Sequence, residues 1–236
     1  MTNHTLQNHI IFEDANILVL NKPSGCVVNR SHTAEEGTVQ HFLLNYLKIP
    51  LNESTPFNQR TGLAHRLDRD TSGVLLVGKT EEYFNYLLAL FKNREISKEY
   101  IALVYGKLAQ DVIEINAPIG RNPNNRFKFA ITSEGKEAST RIEKIKEISY
   151  NSHTLTVVKA YPKTGRTHQI RVHLAALGTA VIGDLMYLST QKRIALSEDF
   201  PRLMLHAYSV SWNSSIYKTP NSFQAPLPKL FSDALE

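Results

Sequence analysis

Apolar segments of strand length, separated by turn residues, constrain the fold of this chain most strongly. GVLLVGK (73–79) is a continuous apolar run typical of a buried strand, whereas KEYIALVY (98–105) offers apolar side chains on two alternating faces. HTLTVVKAYP (153–162) and RLMLHAYSVSW (202–212) predict further strands. The start, HIIFEDANILVLNKPSG (9–25), predicts two strands around an Asp-Ala-Asn turn. A sheet rich in antiparallel pairs is therefore expected.

Helical patterns interrupt these strands at three places. EGTVQHFLLNYLKI (36–49) carries an apolar helical stripe, and Thr80 can cap a helix that ends near Asn93. GRTHQIRVHLAALG (165–178) predicts a helix that Gly178 can end. Because strands and helices mix with short connections, the expected fold class is α+β with a substantial antiparallel component.

The distribution of charge suggests a polyanionic partner. The net charge is +5, but residues 121–146 hold seven Lys/Arg against three Glu, and residues 159–173 hold four Lys/Arg and no acid. Clustered cations gain affinity for nucleic acid by releasing counterions from phosphates. Ordinary solvated lysines remain the alternative reading. Cys26 is the one cysteine, which excludes an internal disulfide and a cysteine-rich zinc site and suits the cytoplasm.

HRLDRDTSG (65–73) is the first segment that could carry chemistry. Its glycine directly precedes an apolar strand, so Asp68 is expected in a loop at a strand end, where reactive groups are commonly displayed. One alternative is an ordinary turn in which Asp68 pairs with Arg66 or Arg69 on the surface. Another takes Asp68 and Asp70 as the two carboxylates of a glycosidase.

PKTGRTHQIRVH (162–173) is the second candidate segment. Arg166 stands just before a predicted helix with Thr167 as a plausible N-cap, which would form a cationic socket for a carboxylate or phosphate. An exposed helix start with ordinary basic residues is the alternative. His168 and His173 are five residues apart, about 140° around a helix, so a helical metal pair is not expected.

Tyr100 has two readings as well. Its strand face predicts a largely buried core residue, and a functional role would offer the ring as a platform for a nucleobase. No glycine-rich phosphate loop is present, so neither ATP nor a nicotinamide cofactor is implied.

Seven motifs taken in order resemble the RluA-type RNA pseudouridine synthases, over about residues 10–228. They are NKPSG (21–25), HRLDRDTSG (65–73), KEYIALVYG (98–106), GRTHQIRVHLAALG (165–178), IGDLMY (182–187), LHA (205–207) and FQAPLP (223–228). The resemblance implies an enzyme that converts uridine in structured RNA to pseudouridine without a cofactor or a metal.

The resemblance also implies a role for individual residues. Asp68 would be the catalytic nucleophile or the electrostatic partner of C1′, Tyr100 would stack on the target base, and Arg166 would pair with the carboxylate and keep it ionised. Arg66 is a candidate for filling the stack that a flipped uridine vacates. The other residues expected to contact RNA are His65, Arg126, Lys128 and Arg171.

The expected organisation follows from the same resemblance. One pseudouridine synthase catalytic domain would span 1–236, with its core at about 10–228, no N-terminal S4 domain, and a central mixed, largely antiparallel sheet with flanking helices. The active site would lie in a cleft between two lobes. We expect a cytoplasmic monomer with no membrane or DNA partner, and tRNA somewhat ahead of ribosomal RNA because no accessory RNA-binding domain is expected.

Two rival functions remain open. The first is a non-catalytic RNA-binding or chaperone module that retains the fold, against which the presence of Asp68, Tyr100 and Arg166 argues. The second is a nucleoside or glycoside hydrolase using Asp68 and Asp70, which would release free uracil or sugar.

Overall fold

The structure is a computed structural model, and it describes residues 6–31, 35–49, 55–213 and 216–235. The strands are β1 (Ile10–Glu13), β2 (Ile17–Lys22), β3 (Ser72–Gly78), β4 (Ser97–Tyr105), β5 (Val112–Asn116), β6 (Ile119–Asn122), β7 (Asn125–Ile131), β8 (Ser139–Tyr150), β9 (His153–Pro162), β10 (Leu205–Ser211) and β11 (Ser222–Gln224). The helices are α1 (Val39–Leu47), α2 (Pro56–Arg60), α3 (Glu81–Lys92), α4 (Gln169–Ala176), α5 (Thr190–Ala195) and α6 (Lys229–Leu235).

The chain divides into two compact units. Unit 1 comprises Met1–Ser97 and Ala207–Pro226, and unit 2 comprises Lys98–His206 and Leu227–Glu236. The chain therefore passes from unit 2 back to unit 1 between His206 and Ala207, inside β10. The single catalytic domain expected over 1–236, with its core at about 10–228, stays a prediction, as does the cleft.

Unit 1 is a sheet covered by α3. β1 pairs antiparallel with β2, β2 with β3, and β10 with β11. The predicted turn after β1 is confirmed, because the Asp14 carboxylate accepts the backbone N–H groups of Asn16 and Ile17 at 2.7 and 2.9 Å. Thr80 caps α3 through the N–H of Tyr83, as its sequence predicts. The core of unit 1 lies between α3 and the sheet, and β3 is buried along its whole length.

Unit 2 contains a second set of antiparallel strands and a separate hairpin. β4 pairs with β9, β9 with β8, and β8 with β5, whereas β6 and β7 pair only with each other. Helix α4 packs against β7, β8 and β9. Gly178, with φ +78°, follows the end of α4 as predicted.

Five short elements escaped prediction: α2, α5, α6, β5 and β11. The polar segment around Pro50 and Pro56 predicts a loop, but helix α2 begins at Pro56, and Thr55 caps it through the N–H of Asn58. Pro50 lies outside the described residues. Elements of three to seven residues carry too few apolar positions for a periodic pattern to show.

None of the helices in the described ranges combines the length and the apolar character that a membrane crossing requires.

Candidate active site

Asp68 lies in the loop of residues 64–71, called the Asp68 loop, which connects α2 to β3. The residue is half-buried, and its carbonyl oxygen accepts the N–H of Thr71 at 3.2 Å. Leu63, directly before the loop, forms an antiparallel bridge with Val77 of β3. The expectation that Asp68 lies in a loop at a strand end is confirmed.

A fully buried lysine holds the Asp68 loop in place. Lys22, the last residue of β2, donates from Nζ to the carbonyl oxygens of Pro23 and Cys26 at 2.9 Å and of Arg69 at 2.8 Å. A buried ammonium group needs such acceptors, because desolvation without partners costs several kcal/mol. Ser24 adds a bond from Oγ to the carbonyl of Asp70 at 2.7 Å. The NKPSG segment therefore fixes the backbone directly after Asp68.

Sequence reasoning used NKPSG only as part of a resemblance and missed this role of Lys22. The signal was a lysine that ends the apolar strand ILVLNK immediately before a Pro-Ser-Gly turn, where a solvated lysine would be out of place.

Gly73 fixes the exit from the Asp68 loop. Its φ is +117°, and a Cβ built on it would lie 2.1 Å from the carbonyl oxygen of Ala207 in β10. No side chain fits in that space, and residues other than glycine rarely adopt this backbone conformation. The glycine that closes HRLDRDTSG thus permits a close backbone approach within unit 1.

The charged neighbours of Asp68 form a pair of their own. Arg69 donates from Nε and Nη2 to the two carboxylate oxygens of Asp70 at 3.0 and 3.2 Å. This differs from the surface alternative, in which Arg69 would pair with Asp68. In the glycosidase alternative Asp70 is the second carboxylate, and in the structure it is paired with Arg69. Arg66 is exposed, so its predicted contact with RNA is sterically open.

His65 has a structural partner in β3. Its Nε2 accepts the backbone N–H of Leu76 at 2.9 Å, and its ring lies 4.7 Å from that of Phe91. A nitrogen that accepts an N–H carries no proton, so this bond selects a ring with Nε2 unprotonated. Its predicted RNA contact stays a prediction.

Tyr100 lies near the start of β4, opposite Ala160 of β9. The residue is half-buried, whereas the sequence predicted a largely buried one. Along β4 only the residues from Ile101 to Val104 are fully buried. The prediction from the alternating pattern therefore gave the first residues of the strand too much burial. A half-buried ring retains surface that a planar base can contact.

Arg166 follows β9 and precedes α4. Its Nε donates to the carbonyl of Glu137 at 2.9 Å. The predicted N-cap at Thr167 is wrong: α4 begins at Gln169, and its N-cap, His168, has φ +57° and makes no side-chain capping bond.

Gln169 anchors the Arg166 segment to β8. Its Oε1 accepts the Thr164 hydroxyl at 2.6 Å and the Arg166 N–H at 3.0 Å. Its Nε2 donates to the Ser139 carbonyl and to the Thr140 hydroxyl, both at 2.9 Å. Gln169 is buried, and both ends of its amide are used. Sequence reasoning missed this residue, because a glutamine in a helix is normally exposed.

Arg171 does not fit the RNA contact predicted for it. Its side chain is 8% exposed and forms a two-bond ion pair with the fully buried carboxylate of Asp184, at 2.7 and 3.0 Å. Asp184 also accepts the N–H groups of Met186 and Tyr187. A buried, bidentate guanidinium holds α4 to the 182–187 segment, so its role is structural.

The sequence of residues 121–138 predicts an exposed basic loop or hairpin, and the structure has a hairpin there. β6 and β7 pair with Ile119 opposite Ile131 and Arg121 opposite Phe129, and we call them the basic hairpin. Arg126 is exposed and Lys128 is half-exposed, which leaves both accessible to a polyanion.

Within the described ranges, no group of three or more His, Cys, Asp or Glu side chains has an arrangement that could hold a metal ion. The expected independence from metals and cofactors stays a prediction.

Comparison with known proteins decides the family. The model of the RNA pseudouridylate synthase family matches residues 16–176, which include Asp68, Tyr100 and Arg166. The chain belongs to this family. Its members are isomerases, and the reaction is the conversion of uridine to pseudouridine in RNA.

Individual relatives support the same conclusion. The chain is 34% identical to ribosomal large subunit pseudouridine synthase D of Pseudomonas aeruginosa over 96% of this chain and 70% of the relative. It is 38% identical to the protein of the same name from Borreliella burgdorferi over 85% of this chain and 60% of the relative. The chain thus spans less than three quarters of either relative.

A solved structure confirms the expected fold. Human RNA pseudouridylate synthase domain containing 1 superposes with a TM-score of 0.75 at 26% identity, over 100% of this chain and 88% of the human chain. The fold is the α+β pseudouridine synthase fold, with a mixed, mostly antiparallel sheet and flanking helices. The expected preference for tRNA finds no support in the two bacterial relatives, whose names refer to the ribosomal large subunit.

Proposed function

We propose that this pseudouridine synthase uses Asp68 to isomerise uridine in ribosomal RNA. The observation that carries the proposal is the Asp68 loop itself, which lies in the family-matched region and is held by buried Lys22 and by the close approach at Gly73. A carboxylate whose backbone is fixed from both sides meets the first requirement of an enzyme that must aim one charge at a sugar carbon.

The chemistry requires one fixed anion and no outside reagent. Uracil must leave C1′ through N1, rotate, and return through C5, whose hydrogen is then lost. Asp68 supplies the anion, as a nucleophile or as an electrostatic partner of C1′. Because the product has the same atoms as the substrate, no co-reactant is consumed.

Tyr100 and Arg166 complete the proposed machinery, each with a separate role. The half-buried Tyr100 stacks on the target base, a contact worth about 1–3 kcal/mol per base in proteins that bind single strands. Arg166 supplies a planar guanidinium, which can grip a carboxylate or a phosphate with two bonds. Its anchoring by Glu137 and Gln169 supports this assignment, because a fixed segment holds a cation at low entropic cost.

Ribosomal RNA is the proposed substrate class, and cations on the surface support an RNA partner. Arg66 in the Asp68 loop and Arg126 and Lys128 in the basic hairpin are all accessible. Such cations position a phosphate backbone without reading its sequence. The preference for ribosomal over transfer RNA rests on the names of the relatives alone.

The test is release of tritium from RNA labelled at C5 of uridine. Unmodified transcripts of large-subunit ribosomal RNA and a pool of unmodified tRNA transcripts are incubated with the chain, a chelator and no nucleotide. We expect release from the ribosomal transcripts. Release from tRNA alone would overturn the substrate, free uracil would identify a hydrolase, and RNA binding without release would favour the non-catalytic module.

A further inference from the structure

Phe127, near the start of β7, is the most exposed large apolar residue among those described, with 84% of its surface open to solvent. We propose that its ring stacks on an unpaired base of the bound RNA, so that the basic hairpin binds bases as well as phosphates. This inference rests on the proposed function and adds a base contact that family membership does not assign.

The hairpin holds this ring at a defined place. Arg121 pairs opposite Phe129, and the N–H of Phe129 donates to the Tyr187 hydroxyl at 3.0 Å. The same hydroxyl lies 3.0 Å from Nδ1 of His168 at the start of α4. Two residues after Phe127, β7 is therefore attached through Tyr187 to the start of α4. A ring on an anchored strand loses little freedom when it binds.

Phe129 shows why Phe127 has no place in the core. The register of the hairpin shifts between Arg121, which lies opposite Phe129, and Asn122, which lies opposite Asn125, so Phe127 belongs to an irregular stretch of the strand. Phe129 packs on a small cluster of Ile119, Ala138 and Val172. The guanidinium of Arg121 covers the ring of Phe129, with 4.5 Å between Cζ and the ring centroid. Phe127 lies beyond this cluster, so packing does not account for a phenylalanine there.

The surrounding charge points to RNA as the occupant. Arg126 and Lys128 flank Phe127 in sequence, Arg121 donates to the carbonyl of Arg126 at 2.7 Å, and no acidic residue occurs between 121 and 133. An aromatic ring among cations is the combination that binds single-stranded nucleic acid, in which the cations meet phosphates and the ring meets the face of a base. An anionic membrane is the alternative occupant, and the test separates it from RNA.

Binding of two short RNAs tests the stacking contact. The probes are a 12-nucleotide single-stranded RNA of mixed sequence and an abasic strand of equal length, which keeps the phosphates and lacks the bases. We expect Phe127→Ala and Phe127→Leu to weaken binding of the first probe about tenfold, within the range measured for base–aromatic stacking, and to leave the abasic probe unaffected. Leucine keeps an apolar surface but has no π face.

Arg126→Ala is the matched control. It should weaken both probes alike and reduce the slope of log affinity against log salt by about 0.7, the value for one phosphate of a single strand. Neither Phe127 variant should change that slope, because a ring releases no counterions.

A fluorescent variant reports the contact directly. The chain contains one tryptophan, Trp212, which is 4% exposed in unit 1. In Phe127→Trp the new indole is at the surface, and we expect the mixed-sequence RNA to quench its emission and to shield it from acrylamide. The abasic strand should do neither.

Several results would overturn the proposal. They are parent-like affinity of Phe127→Ala for the mixed-sequence RNA, parent-like affinity of Phe127→Leu, equal loss of affinity for the abasic strand, or Phe127-dependent binding to phosphatidylglycerol vesicles without an effect on RNA. Tritium release keeps the two proposals apart. An active parent with an unaffected Phe127→Ala refutes stacking alone, and Phe127-dependent binding without tritium release refutes the proposed function alone.

Discussion

The Asp68 loop and the basic hairpin solve opposite structural problems. The loop is held by groups that solvent does not reach: Lys22 binds its backbone from inside unit 1, and Gly73 closes against β10. The hairpin presents Arg126 and Phe127 to solvent and is fixed mainly near Phe129. A reacting carboxylate needs a fixed position, whereas cations that meet RNA need access.

This difference has a consequence for substitutions. Changes beneath the Asp68 loop should alter folding and activity together, because the same buried groups determine both. Changes at the exposed end of the hairpin should alter RNA binding and leave the stability of the fold unchanged, since surface substitutions away from such features rarely exceed about 0.5 kcal/mol.

The largest effect is expected at Asp68 itself. Asp68→Asn keeps the shape but removes the charge, so we expect at least about a 1,000-fold loss of tritium release with parent-like RNA binding and melting temperature. Asp70→Asn, the matched control, should remain active. Residual turnover in Asp68→Asn comparable to the parent would remove Asp68 from the mechanism.

Arg171 and Arg166 contrast a buried cation with an accessible one. Arg171→Met leaves the buried Asp184 carboxylate without its guanidinium, and we expect a loss of about 3 kcal/mol in the free energy of unfolding, measured with denaturant. Arg166→Lys should unfold like the parent but lose about 100-fold in tritium release, because an ammonium cannot grip a carboxylate with two bonds. Equal stability of the two variants would contradict the structural role of Arg171.

Lys22→Met tests the buried support of the Asp68 loop. The variant keeps the length of the side chain but leaves three carbonyl oxygens without their shared donor, so a loss of about 2–3 kcal/mol in unfolding free energy is expected. Lys128→Met at the hairpin is the control and should unfold like the parent. If both variants have the unfolding free energy of the parent, the loop does not depend on Lys22.

Charge reversal in the basic hairpin should act on binding alone. Lys128→Glu or Arg126→Glu should weaken RNA binding about tenfold near physiological salt and flatten its salt dependence, with no change in melting temperature. An unchanged salt slope would place the RNA on another surface.

The smallest effect is expected at His173, a buried residue that contacts the chain just before the basic hairpin. His173 bonds Thr140 at 2.9 Å and the carbonyl of Ala117, just before β6, at 3.1 Å. Burial lowers the pKa of His173, although the hydrogen bond to Ala117 opposes that shift. The unfolded chain therefore binds the proton more readily, so this stability is present above about pH 6.5 and is lost as the pH falls towards the lower folded pKa.

The measurement is unfolding free energy between pH 7.5 and 5. The parent should lose more stability than His173→Gln, by at most about 1.4 kcal/mol per pH unit. Identical pH dependence in the two proteins would show that His173 does not titrate differently on folding.

Long periodic segments were predictable and short ones were not. The strands β3, β4, β9 and β10 and the helix α3 agree with their apolar patterns, because burial of one face over seven or more residues leaves a readable period. The five-residue α2 and the three-residue β11 are too short to show a period. Their positions depend on contacts with distant parts of the chain. The motif order identified the family, which the family model and the relatives confirm.

The sequence alone determined the fold class, the family and the candidate residues, since these depend on local pattern and on the order of motifs. Tertiary structure decided what individual polar side chains do. Arg171 looks like Arg166 in the sequence, yet Arg171 is buried against Asp184, whereas Arg166 is half-buried and donates from Nε to the carbonyl of Glu137. Lys22 looks like a surface lysine, yet it binds three carbonyls in the core. The cost of burying a charge depends on partners far away in the sequence, so no local pattern can reveal it.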